Sequence, residues 1–240
     1  MASLQPMKAM VFAAGRGTRL KPLTDTRPKA LVEVGGVTLL EHTLRRLAAA
    51  GVAEVIINLH HCGEQIPAFV EKHGGFGLRH VEYSPEPELL DTGGGLKEAS
   101  WFFNDSRPFL VHNVDVLSDL DLRALANEHQ RTGALATLAA MPRPTARPLF
   151  FDTANRLVGR RSPTTGDTFV RAPQGEAVPL GFCGIQMVSP ALFPKLTESG
   201  VFAIVPSYLR LAGNGETINC FRADGARWRD CGRPEDLRPL

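Results

Sequence analysis

The sequence predicts an α/β protein: a Rossmann-like, three-layer α/β/α fold around a mixed, mostly parallel sheet. Three observations carry this. The apolar runs at Lys8–Ala13 and Phe109–Asn113 are short and continuous, the mark of strands covered on both faces. They alternate with segments of helical period, as successive β–α–β units require. And 240 residues, 43% of them hydrophobic, suffice for one large α/β core.

The elements follow in order. Lys8–Ala13 is a buried strand. Leu39–Ala50 is a helix with Leu40, Leu44 and Leu47 at helical spacing, stopped by Gly51. Val55–Asn58 is a second strand, Ile66–Lys72 a short helix, Leu78–Tyr83 a third strand and Gly93–Phe103 a helix. Phe109–Asn113 is the fourth strand. Leu122–Arg131 is a helix capped by Asp119 or Asp121, and Ala134–Ala140 is a strand. After Met141 the character changes, because Pro142, Pro144 and Pro148 break any helix. Ser162–Asp167 reads as an exposed turn or hairpin tip. Pro179–Val188, Phe202–Leu211 and Thr217–Arg222 then read as strand, helix and strand. No repeat, low-complexity stretch or long linker divides the chain. Residues 1–240 are expected to form a single domain, with an insertion at about 141–190.

Composition excludes some classes. A formal charge of +2 gives no argument for a nucleic-acid or membrane partner. No apolar run approaches a membrane span, and Met1–Pro6 lacks the pattern of a signal peptide, so a cytoplasmic protein is expected. Cys62, Cys183, Cys220 and Cys231 contain no Cys-x-x-Cys pair and are expected to be reduced thiols. His60 and His61 have no third ligand at metal-binding spacing, and His112 is expected to pack within its strand.

The first strand runs into Gly15-Arg16-Gly17-Thr18-Arg19. Glycines there let backbone N–H groups approach a phosphate. The loop lacks the third glycine of a dinucleotide fingerprint and the Gly-Lys-Ser/Thr end of a P-loop, so alone it also fits a plain tight turn. Its neighbours narrow the reading. Arg19 and Lys29 supply positive charge, and Asp115, at the end of the fourth strand, supplies a carboxylate suited to a metal ion. Ligands of open parallel sheets sit beyond the carboxyl ends of the strands, where Ala14–Arg19, Glu86–Gly95 and Asn113–Asp115 all lie. Together these parts suit a site that holds a nucleoside triphosphate.

Ala13-Ala14-Gly15-Arg16-Gly17-Thr18-Arg19-Leu20-Lys21-Pro22-Leu23-Thr24 followed by Arg27-Pro28-Lys29-Ala30-Leu31 resembles the signature of the sugar-1-phosphate nucleotidylyltransferases. Asn113-Val114-Asp115 resembles that family's Asn-Gly-Asp strand end. Trp228-Arg229-Asp230-Cys231-Gly232-Arg233-Pro234 resembles its late Trp-x-Asp-x-Gly-x-Pro segment. The resemblance implies the nucleotidyltransferase fold, an enzyme that joins an NTP to a sugar 1-phosphate, and Mg²⁺ as cofactor. It assigns catalysis to Arg19, Lys29 and Asp115, and the metal to Asp115 and Asp230. Nucleotide contacts fall to Ala13, Ala14, Gly15, Gly17, Thr18, Arg19, Glu86, Asp91, Thr92 and Gly93. Sugar contacts fall to Asn113 and Gly184 and to the 141–190 insertion. The Lys29 ammonium is expected to be open to solvent. With so little chain after Asp230, the extra β-helix of some relatives is not expected.

Leu90-Asp91-Thr92-Gly93-Gly94-Gly95 is similar to the Glu-Thr-Gly-Gly-Gly pattern of the N-acetylmuramate-1-phosphate uridylyltransferases of peptidoglycan recycling. UTP with N-acetylmuramate 1-phosphate is therefore the leading expectation, and a mannose-1-phosphate guanylyltransferase, or a nucleotidylyltransferase acting on another phosphorylated sugar or alcohol, the alternatives. Two departures stand out. Val114 replaces the usual glycine, where a β-branched side chain would crowd the site of a working enzyme but suit a non-catalytic binding subunit. The Glu-Lys-Pro of many relatives is absent, with Arg160-Arg161-Ser162-Pro163 near its place. Oligomeric state is not legible.

Overall fold

The computed structural model describes residues 7–238. The elements are β1 Met7–Phe12, β2 Glu33–Val34, β3 Val37–Thr38, α1 Leu39–Ala49, β4 Val52–Leu59, α2 Gln65–Lys72, β5 His80–Pro85 and α3 Asp91–Glu98. Then come β6 Phe109–Asn113, β7 Val116–Ser118, α4 Leu122–Thr132, β8 Ala136–Met141, β9 Leu149–Phe151, β10 Leu157–Ser162, β11 Gly166–Phe169, β12 Val178–Val188, α5 Ile204–Gly213, β13 Ile218–Arg222 and β14 Trp228–Asp230.

The main sheet is mixed. β5, β4, β1 and β6 are neighbours and run parallel. β12 runs antiparallel beside β6 and beside β8, which pairs in parallel with β13. In this layer β12 alone opposes the common direction.

Side chains alternate across these strands. Ala9, Val11, Val55 and Ile57 face one layer with Leu40, Leu44 and Leu47 of α1, Ile66 and Val70 of α2, and Leu125 of α4. Met10, Ile56 and Val111 face the other, with Leu96 of α3 and Ile204, Tyr208 and Leu209 of α5. Both faces being covered is why the strands read as unbroken apolar runs. Every CH₂ withdrawn from water contributes about 0.8 kcal/mol, so the helices are held chiefly by this packing rather than by propensity.

Local signals place the helix starts. Thr38 Oγ1 accepts from Glu41 N at 3.1 Å, and Asp121 Oδ1 accepts from Arg123 N and Ala124 N, each at 2.9 Å. Asp119 is not the cap. It pairs with Arg227 at 2.7 Å and ties the chain before β14 to the turn after β7.

The segment 141–190 leaves the main layer as a meander. β9, β10 and β11 pair antiparallel in succession, and β9 rejoins at Val178–Leu180 of β12. The short pairs β2–β3 and β7–β14 lie off the main sheet. The helix expected at Gly93–Phe103 starts earlier, at Asp91, and ends at Glu98 in a 3-10 turn over Ala99–Phe102. Among the described residues no helix is long and apolar enough to cross a membrane, and the four cysteines are free thiols.

Candidate active site

A cleft of about 500 Å³ opens at the carboxyl ends of β1, β4, β5 and β6. Ala13, Ala14, Gly15, Gly17, Thr18 and Arg19 form one wall, Leu89, Asp91, Thr92 and Val201 another, and Asn113, Val114, Asp115, Lys29 and Gly232 the floor and far end.

The glycine loop has two distinct glycines. Gly17 has φ +61°, and a Cβ there would fall 2.9 Å from Thr24 Cγ2 and 3.1 Å from Lys29 Cβ. It lets the loop lie against the turn that carries Lys29, where Thr24 Oγ1 donates to Gly17 O at 2.9 Å. Around Gly15 the space within 4 Å of such a Cβ is empty, so that backbone is open to a ligand.

The start of the loop is held by a residue that motif reading missed. Asn58, at the end of β4, accepts from Ala13 N at 2.6 Å and Ala14 N at 3.2 Å, and its Nδ2 donates to Glu86 Oε1 at 2.8 Å. Glu86 Oε2 accepts from Leu90 N at 2.9 Å. This buried chain joins the glycine loop to the loop before α3. The available signal was an amide at the end of an otherwise apolar strand.

Several expectations are corrected here. Glu86 is 3% exposed and spent on Asn58 and Leu90, so it braces the cleft from behind and does not line it. Gly93 does not line it either. Gly93 N and Gly94 N both donate to Phe202 O, at 2.8 and 3.1 Å. A Cβ on Gly93, Gly94 or Gly95 would meet the Phe202 ring at 2.4 Å, Gly200 O at 2.3 Å or Glu86 Oε1 at 2.5 Å. The three glycines let α3 pack tightly on its neighbours. Thr92 Oγ1 accepts from Ile204 N at 3.1 Å, tying the same wall to α5. Gly184 also lies off the cleft surface, at φ +72° where the β12–β8 register shifts. A Cβ there would be 2.8 Å from Asn113 Nδ2, so it packs behind that residue.

The charged groups converge at the far end. Lys29 is 7% exposed rather than open to solvent, because its ammonium donates to Asp115 Oδ2. β14 pairs with β7 so that Asp230 stands opposite Val116, and Cys231 N donates to Asp115 O at 2.8 Å. Gly232 is wedged between two of these groups: a Cβ there would be 2.5 Å from Arg19 Nη2 and 2.6 Å from Asp230 Oδ1. Burial, and then the Asp115 carboxylate, raise the pKa of Asp230 above the ordinary carboxylate value, while Lys29 and Arg19 pull it back. Two neighbouring acids, one of them short of compensation, suit a divalent cation that takes its other ligands from phosphate and water. Among the described residues no group of three His, Cys, Asp or Glu could hold a metal by itself.

Val114 borders the cleft but is only 3% exposed, within the core that includes Leu117 and Leu120. Its bulk is directed mainly into protein. His60 and His61 hydrogen bond to Glu86 O at 2.9 Å and to Thr24 O at 2.8 Å and so support the two loops.

The chain belongs to the nucleotidyl transferase family, whose model matches residues 8–151. It is 33% identical, over 97% of its length and 95% of the relative's, to the N-acetylmuramate alpha-1-phosphate uridylyltransferase of Caulobacter vibrioides. It is 34% identical, over 83% of both chains, to the protein of that name from Neisseria meningitidis serogroup B. A mannose-1-phosphate guanyltransferase of Aspergillus fumigatus is 29% identical over 96% of this chain and 62% of its own. Two solved structures share the fold: a UDP-glucose pyrophosphorylase complexed with UDP-glucose (TM-score 0.78, 16% identity, 97% and 95% of the two chains) and HddC from Yersinia pseudotuberculosis (TM-score 0.75, 21% identity, 96% of each). The protein is thus an enzyme of the sugar-phosphate nucleotidyltransferase class, not a binding subunit that merely keeps the fold.

Proposed function

We propose that the enzyme transfers a uridylyl group from UTP to N-acetylmuramate 1-phosphate, releasing pyrophosphate. The observation that carries the reaction class is the meeting of Arg19, Lys29, Asp115 and Asp230 at one end of the nucleotide-sized cleft. The two relatives that are 33–34% identical over most of this chain support the choice of substrates.

The sugar phosphate oxygen is already a nucleophile, so catalysis is alignment and charge neutralisation. The open backbone at Gly15 and the Arg19 guanidinium receive the triphosphate. Lys29 stabilises charge that develops on the attacked phosphate, and its pairing with Asp115 holds the ammonium in place beforehand. Asp115 and Asp230 would hold Mg²⁺, which when bound offsets anion–anion repulsion between the two substrates. Leu89, Asp91, Thr92 and Val201 form the wall against the base.

Pyrophosphate release from a panel of NTPs and sugar 1-phosphates tests the proposal. UTP with N-acetylmuramate 1-phosphate is expected to give the highest kcat/KM. Preference for GTP with mannose 1-phosphate moves the assignment to a guanylyltransferase and leaves the residue roles intact.

A further inference from the structure

Arg143 lies just beyond β8, in the proline-rich stretch that leads into the meander. Its guanidinium carbon stands 4.3 Å from the centroid of Trp228, two residues before Asp230 in β14, and its Nη2 donates to Phe182 O of β12 at 2.7 Å. Trp228 is itself held, by donation from Nε1 to Cys183 O at 2.8 Å. Gly181 packs on the arginine stem so closely that a Cβ would be 2.5 Å from Arg143 Cγ. The guanidinium is therefore fixed from three sides, and it feels the Asp230 carboxylate electrostatically. From Phe182 it is two residues along β12 to Gly184, which packs on Asn113 of the cleft.

Fixed as it is, Arg143 makes no ion pair among the described residues, and its Nε is buried without a hydrogen-bond partner. Five of the other arginines of this half are matched: Arg156 with Asp152, Arg161 with Asp167, Arg210 with Glu198, Arg222 with Asp224 and Arg227 with Asp119. Half-burying a guanidinium with no anion in direct contact is costly unless one arrives from outside. With Nη2 spent on Phe182 O and Nε buried, Nη1 is the edge of the guanidinium left to meet a carboxylate.

We infer that Arg143 is a specificity-determining residue that recognises a carboxylate on the sugar of the incoming sugar 1-phosphate. This rests on the proposed transfer to N-acetylmuramate 1-phosphate and deepens it. The lactyl ether of that sugar carries such an acid, and N-acetylglucosamine 1-phosphate is the same ring without it. Arg143 takes no part in the phosphoryl chemistry, so its loss acts through binding of the acidic sugar.

The test is UTP-dependent turnover of both sugar phosphates by wild type, Arg143→Gln and Arg143→Lys, with binding of the two UDP-sugars measured by calorimetry. Expected is a rise in KM of about 30-fold or more for the acidic sugar in Arg143→Gln, the scale for losing a charge-assisted contact. The neutral sugar should stay within about twofold, and Arg143→Lys should recover part of the loss. Because the two sugars are compared on one preparation, partial loss of folded enzyme cancels from the ratio. Equal losses for both sugars, or an unchanged ratio, overturn the role of Arg143 while leaving the proposed reaction standing. A wild type that turns over neither sugar with UTP and binds neither product overturns both.

Discussion

Lys29 shows how a single side chain can be read correctly for charge and wrongly for setting. Its cation was legible from the Arg-Pro-Lys run, but its burial against Asp115 was not. Two kinds of variant separate the roles. Lys29→Met is expected to lower kcat by about 100-fold or more, the scale for one lost transition-state contact, without raising the Mg²⁺ concentration needed. Asp115→Asn and Asp230→Asn are expected to raise that concentration. A Mg²⁺ titration of each variant checks this, and an unchanged requirement in both aspartate variants removes the shared-metal role. Asn58 belongs to the same scale. Asn58→Ala leaves Ala13 N, Ala14 N and Glu86 Oε1 without this partner, at about 1–3 kcal/mol for a buried group left unpaired. Urea unfolding should show a lower midpoint with an unchanged slope, and KM for the nucleotide should rise. No motif flags Asn58, because its partners are backbone N–H groups that become neighbours only when β1 and β4 pair.

Helix α3 was expected to meet the nucleotide at Gly93, yet it uses its glycines to approach protein. The carbonyl of Gly200 sits where a Gly94 Cβ would go, and Phe202 accepts from two N–H groups of the helix. Gly94→Ala must push the backbone around Gly200 aside, at about 1–3 kcal/mol for overpacking. Val201, a cleft residue, would move with it. The expected outcome is a lower Tm together with a higher KM for the nucleotide and a nearly unchanged kcat. A variant with wild-type Tm and KM would show that this wall is not set by the helix packing. The strands are the complementary case. β1, β4 and β6 are continuous apolar runs and were found within a few residues of their ends. β2, β3, β7 and β14 are too short for a period to register, and what makes them strands is their partner.

At the level of the whole molecule, two buried histidines tie stability to pH. Burial lowers His129, whose Nδ1 meets Thr137 Oγ1 at 2.8 Å, to about 4. Burial, and then the nearby Arg46, lower His112 to about 4 as well. In the unfolded chain a histidine titrates near 6.5. Between those values the unfolded state takes up protons that the folded state refuses. The stability from these neutral histidines is complete above about pH 6.5 and is lost as pH falls toward 4, at up to about 1.4 kcal/mol per histidine per pH unit. Tm is expected to drop between pH 7 and pH 5, and His129→Gln should make that drop shallower. An equal slope in the variant would place the acid sensitivity elsewhere.

The α/β class, the parallel strand core, the glycine loop after the first strand and the identities of the charged residues were legible along the chain, since each rests on local period, backbone freedom or charge. Which of them meet depends on how the chain folds back on itself. Asp115 and Asp230 lie far apart along the chain and share a site because β14 pairs with β7. Glu86 and Gly93 left the expected contact surface because burial and close packing claimed them first. Arg143 is one arginine among many in the sequence, and becomes significant through what surrounds it: an aromatic face, a carbonyl, and no ion-paired acid among the described residues. Proximity between distant segments is a property of strand pairing and packing, and no local pattern of residues encodes it.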